Sequence, residues 1–255
     1  MIPFRTSSIL LAFLLVVPLL GHAEAPMANG QSAAEILKKA DSYRASSADL
    51  QLDVEIAVFN ADGSPSKERR YTVFSQSQHR SLVLMQSPSE KGQKVLMLGD
   101  DFWLLMPGTS RPLRITAMQK LLGDVSTGDI ATMSWAEDYA SAIVGEEACA
   151  GQPCTHLSLT ANRKSLNYQR IELWVGKIHR EPIKAELFVQ SDKLAKVARF
   201  STDKPAAPSA VVEMTLLDRL SNNKETRVRY GARRERTLPA EWLNPMFLAA
   251  NPKID

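Results

Sequence analysis

The residue types that do chemistry occur in this chain, but not at the spacings chemistry needs. Beyond residue 23, histidines stand at 79, 156 and 179, well separated and each in a strand-like setting. A lone histidine of that kind is usually a surface or internally satisfied side chain. Asp100 and Asp101 invite a paired-carboxylate reading, but neighbours in a strand or turn point apart, and they read as turn formers. Glu137 and Asp138 read as a solvated helix face. No nucleophile elbow, phosphate-binding glycine loop or H-E-x-x-H occurs. Cys149 and Cys154 flank Ala150-Gly151-Gln152-Pro153. That is not the spacing of a redox C-x-x-C pair, and no second pair or histidine cluster completes a zinc site. The pattern reads as a small disulfide closing a turn. No metal and no cofactor are expected, and a hydrolase of envelope lipids has no side-chain constellation to stand on.

The sharper signal is apolar, in residues 91–139. Two short apolar runs, 95–98 and 102–106, are split by Gly99-Asp100-Asp101, which predicts a tight hairpin. Exposed hairpins usually alternate apolar and polar residues, whereas this one is apolar on both faces and both must be covered. Pro107 to Ser110 ends it, and residues 113–115 resume as an edge strand. Methionine recurs around it at 97, 106, 118 and 133, a residue suited to surfaces that repack around varied ligands. Leu96, Leu98, Trp103, Leu105, Met118, Leu121, Leu122, Ile130, Met133 and Trp135 are therefore the candidate lining of an apolar cavity. The bland alternative is that they fill a core.

The surrounding elements follow from periodicity. Ser32 and Glu35 have the spacing of a capping box, and Ile36, Leu37, Ala40 and Tyr43 follow at helical intervals, so a helix is expected to end near Ser46. Residues 50–59 alternate as a half-buried strand. Further strands are expected at 70–75, 82–85, 155–160, 168–175, 182–190, 195–200, 211–217 and 227–232. After the hairpin, residues 117–122 read as helical and Gly123 as a break. Ser126 to Asp129 reads as a second capping box that opens a helix over 127–144. Residues 242–248 read as an apolar C-terminal tuck. The tally of roughly ten or eleven antiparallel strands makes an α+β protein. A sheet of that size curls, here with a greasy inner face under a helical lid.

Residues 1–23 have the pattern of a secretory signal peptide: Arg5, an apolar run over 9–20, and small residues at 21 and 23. One domain over 24–255 is expected after its removal. Without Arg5, the 31 Lys and Arg become 30 against 28 Asp and Glu. A nearly neutral, interspersed surface has no basic stripe for nucleic acid and no basic amphipathic helix for a membrane surface. An exported, soluble monomer is the expectation, and an oxidising compartment suits the cysteine pair.

The central run resembles the outer-membrane lipoprotein-sorting proteins of the LolA-like superfamily, which includes LolA and LolB. The likeness lies in Lys91-Gly92 and the strand to Gly99, Phe102 to Pro107, Arg111 to Ile115, and Gly123 to Asp129 before Tyr139. It continues in Ile171 to Val175 and Pro182 to Glu186. The resemblance implies a half-open β-barrel, a helical lid, and a cavity for acyl chains of lipids or lipoproteins. Through members linked to inner-membrane lipid exporters, it also implies such an exporter and an outer-membrane acceptor as partners, in the periplasm. A different class of function on the same fold is an envelope regulatory or assembly module that binds a protein partner.

Overall fold

The computed structural model describes residues 31–44, 49–115, 134–220 and 223–250. Helix α1 (Ala33–Ser42) starts where its cap predicts. The Ser32 hydroxyl accepts from the Glu35 amide at 3.2 Å, and the Glu35 carboxylate accepts from the Ser32 amide at 2.8 Å. Both otherwise orphaned donors are thereby satisfied. One face of α1, Ile36, Leu37 and Ala40, is buried.

Thirteen strands form one antiparallel sheet. They are β1 (Leu50–Phe59), β2 (Pro65–Gln76), β3 (Arg80–Met85), β4 (Lys94–Leu98), β5 (Asp101–Leu105), β6 (Leu113–Ile115), β7 (Tyr139–Cys149), β8 (Gln152–Ala161), β9 (Arg170–Gly176), β10 (Pro182–Phe188), β11 (Leu194–Thr202), β12 (Val211–Asp218) and β13 (Glu225–Glu235). Their order is β6-β5-β4-β3-β2-β1-β13-β12-β11-β10-β9-β8-β7. The chain starts mid-sheet, steps out to one edge, crosses to the other edge and steps back, so β1 pairs with β13. The sheet is open, with β6 and β7 as its edges. It is also strongly curled. The β4–β5 turn and the β8–β9 loop lie near opposite ends of the strand order, yet Arg163 of the loop reaches Asp100 of the turn at 2.5 Å.

Alternation sorts side chains onto two faces. In β1, Leu50, Leu52, Val54, Ile56 and Val58 are all buried. They join α1 and the inward residues of β2, β3 and β8–β13 in the main core on the concave face. The convex face is divided. Over β8–β13 it carries ion pairs such as Arg229–Glu213 and Lys184–Glu186. Over β2–β5 it is apolar, and the C-terminal segment covers it. Leu238, Trp242, Leu243 and Leu248 pack there against Phe74, Leu82, Leu84, Leu96 and Leu105. Two short 3-10 turns, Ala240–Leu243 and Pro245–Phe247, carry the segment, and Trp242 meets Phe74 edge-on at 6.2 Å. The expected C-terminal tuck is this strap. The hairpin is apolar on both faces because one face meets the concave side and the other meets the strap.

Two expectations need correcting. The helix expected over 127–144 is, among the described residues, a single turn, α2 (Trp135–Asp138), capped by Ser134. The chain turns extended at Tyr139, and β7 pairs with β8 from Tyr139↔Ala161 to Cys149↔Gln152. Ile143 and Val144 are β-branched and Gly145 is a poor helix former. The hairpin with β8, closed by the Cys149–Cys154 disulfide with Cα atoms 5.8 Å apart, settles the conformation. The strand count rises to thirteen partly for this reason. No described helix is long and apolar enough to cross a membrane.

Candidate functional site

The concave face carries a partly open cavity of about 70 Å³. Its apolar wall combines Met97 and Phe102, a directly opposed pair on β4 and β5, with Ile171, Leu187, Ala198, Phe200, Met214 and Leu216 from β9–β12. Trp135 of α2 closes one side, edge-on to Phe200 at 5.7 Å. Tyr168 and Leu166 of the β8–β9 loop complete the apolar lining.

A polar collar surrounds the end of the cavity where α1, α2, the β8–β9 loop and the β2–β3 and β4–β5 turns meet. The Arg44 guanidinium lies 3.9 Å over the Trp135 ring and 3.4 Å from Asp41. Asp41 accepts from the Ala136 amide at 2.6 Å, tying α1 to α2. Burial pushes the Asp41 carboxyl up to about 6, against the opposing pull of Arg44 and the α2 amides. Asp138 is 3 % exposed and is gripped by Arg163 and approached by His79 at 3.6 Å. Gly99, at φ 60°, is the first residue of the β4–β5 turn, a conformation that favours glycine, and its amide donates to the His79 carbonyl at 3.0 Å. Asp100 follows and points its carboxylate at Arg163. Asp100 sits in the turn as expected and adds a clasp to Arg163, whereas Asp138, expected on a solvated helix face, is buried in the collar.

The candidate residues divide by strand parity. Trp135 lines the cavity. Leu96, Leu98, Trp103 and Leu105 lie on the opposite face of the same hairpin, Leu96 and Leu105 buried and Leu98 and Trp103 partly buried, in the cluster to which the C-terminal strap contributes. Met118, Leu121, Leu122, Ile130 and Met133 fall outside the described residues, as do Gly123 and Asp129. A hairpin apolar on both faces carries no alternation to say which set looks inward. The wall residues missed by sequence reasoning, such as Phe200 and Met214, sit in ordinary alternating strands that nothing local sets apart. Of the histidines, His79 joins the collar. His156 stacks on Trp174 at 4.3 Å between the carboxylates of Glu147 and Glu172. The His179 carbonyl accepts from the Tyr43 hydroxyl at 2.6 Å. Among the described residues no group of His, Cys, Asp and Glu could hold a metal ion.

An open sheet curled around an apolar cavity, with short helices and loops at its mouth, defines a cavity-bearing β fold. A LolA superfamily protein from Nitrosomonas europaea is 30 % identical to this chain, with 84 % of this chain and 98 % of that one covered and a TM-score of 0.77. The chain belongs to the LolA-like superfamily. A family model described only as an uncharacterized protein matches residues 77–249. The fold is also that of a DUF1329 family protein from Desulfovibrio piger, at 22 % identity, with 83 % and 95 % of the two chains covered and a TM-score of 0.68. An outer membrane lipoprotein-sorting protein domain from Vibrio parahaemolyticus shares it at 20 % identity, with 85 % and 98 % covered and a TM-score of 0.69. A comparison with curated proteins finds no match.

Proposed function

We propose that this protein is a periplasmic carrier that binds acyl chains of lipids or lipoproteins in the concave cavity. The observation that carries the reading is the wall itself: Met97, Phe102, Trp135, Phe200 and Met214 line one cavity. Each methylene withdrawn from water there gains ~0.8 kcal/mol, so a modest length of chain suffices for useful affinity. Unbranched methionines adapt to chains of different shape. Membership of the LolA-like superfamily supports the same reading, and the leader-like residues 1–23 and the disulfide suit an oxidising compartment. A lid over residues 117–139 and delivery between an inner-membrane exporter and an outer-membrane acceptor complete the proposal.

The test pairs two substitutions on opposite faces of the sheet. Phe200→Glu puts a carboxylate where the chain would lie, uncompensated except by reaching water or taking up a proton. Phe200 is partly exposed, so the fold should survive while binding of a fluorescent fatty acid is lost. Trp103→Glu, on the strap side, should leave binding intact. Equal effects of the two substitutions would refute this cavity as the site. Mass spectrometry of organic extracts from protein purified out of its periplasm identifies the cargo. A protein-docking role would rest on exposed apolar side chains; among the described residues these are the pairs Met246 and Phe247, and Ile143 and Val144, with Met106, Leu113, Ile178 and Leu220 elsewhere, and single surface hydrophobes of that kind are ordinary.

A further inference from the structure

We propose that Arg163 gates the cavity, and that an acyl chain reaches the wall through the seam its guanidinium spans, between the β4–β5 turn and the β8–β9 loop. The inference rests on the acyl-cavity reading and adds the route and the residue that controls it.

An acyl chain reaches the wall of the cavity only where its boundary can part. The sheet interior is held by continuous backbone ladders, and separating strands there would break many hydrogen bonds at once. The seam is different. Gly99 and Asp100 on one side and Arg163, Ser165 and Leu166 on the other all line the cavity. No backbone hydrogen bond among the described residues joins the turn to the loop. Side chains make the closure. One arm of Arg163 holds Asp138, which is 3 % exposed, and the other holds Asp100, which is 51 % exposed.

The two arms are physically unequal. The Asp138 contact is shielded from water, so its attraction is weakly screened. The Asp100 contact stands in solvent, where ion pairs contribute little and exchange readily. The loop therefore stays tied to α2 while its link to the β4–β5 turn opens and closes. His79, 3.6 Å from both Glu137 and Asp138, is the second tie from the β2–β3 turn to α2, longer and set to one side. Opening the Asp100 arm uncovers Met97 and Phe102 without disturbing the ladder.

A gate alters the rates of loading and release together and leaves affinity nearly alone, because it favours the closed state with or without cargo. Stopped-flow binding of a fluorescent fatty acid should show Arg163→Gln accelerating association and dissociation alike, each by about tenfold, with Kd moved less than about threefold. The double variant Asp100→Cys/Arg163→Cys, bridged by dibromobimane without reductant so that Cys149–Cys154 stays intact, should load at least about tenfold more slowly than its unbridged form. A merely structural role for Arg163 would lower the melting temperature without this paired change in rates. If the wild type binds the probe and neither variant alters the rates, the gate is wrong and the cavity reading stands. If the wild type binds no probe, the cavity reading falls and the gate falls with it.

Discussion

Asp41 shows how one residue couples the mouth of the cavity to pH. It is buried and charged, accepts from an α2 amide, and has a carboxyl raised from 3.8 to about 6. Between those values the native state keeps a proton that the unfolded chain has released. The native protein binds more protons there, so stability falls as pH rises through the window. The contribution is fully present below about pH 4 and lost above about pH 6, a difference of roughly 3 kcal/mol. Asp41→Asn keeps an acceptor for the Ala136 amide and removes the titration. Chemical denaturation of both proteins at pH 4 and pH 7.5 should show the variant gaining on the wild type as pH rises. A constant difference between the two across that range would show that Asp41 does not titrate in this window.

Among the elements, the C-terminal strap makes the most distinct contribution. Its backbone hydrogen bonds over 239–248 stay within the strap itself, so its grip on the sheet comes from side chains: Leu238, Trp242, Leu243 and Leu248, and a bond from the Lys94 ammonium to the Leu248 carbonyl at 3.3 Å. Trp242 is 9 % exposed, and the Arg236 guanidinium lies 5.6 and 5.7 Å from the Phe74 and Trp242 rings. Trp242→Ala should cost about 3 kcal/mol. It should leave fatty-acid binding unchanged, since the strap and the cavity lie on opposite faces. A variant of wild-type stability would mean that the strap is dispensable. The β7–β8 hairpin is tied differently. Its disulfide closes a short loop and is worth at most about 2 kcal/mol through the unfolded chain.

At the scale of the whole molecule, one uninterrupted ladder runs from β6 to β7. Near its centre lies β1, which pairs with β2 on one side and β13 on the other in long registers. Its ends are a strand of three residues, Leu113–Ile115, and an edge strand with a register shift between Ile143 and Gly145. Protection against hydrogen exchange should therefore peak in β1, β2, β12 and β13 and fall toward both edges. Uniform protection across the sheet would instead indicate a single cooperative unit. The gradient also suits a protein that opens at a seam, because the parts meeting there lie toward the ends of the ladder.

Local signals in the chain were enough for the elements. The Ser32–Glu35 cap started α1, the alternation of residues 50–59 matched β1 at both ends, and twelve of the thirteen strands overlap runs with strand character. Those features are written within a few residues, where sterics and hydrogen bonding act. The cavity wall was not legible in the same way. Leu96 and Met97 are equally apolar neighbours, and only the curl of the sheet and the arrival of the strap, more than a hundred residues later, send one to the strap and the other to the cavity. Residues 139–149 could be read as helix until β8 supplied a partner. Asp138 could be read as a surface carboxylate until the curl brought Arg163 and His79 to it. Periodicity fixes which residues share a face, whereas which face becomes the inside depends on contacts between distant strands, and those exist only in the folded sheet.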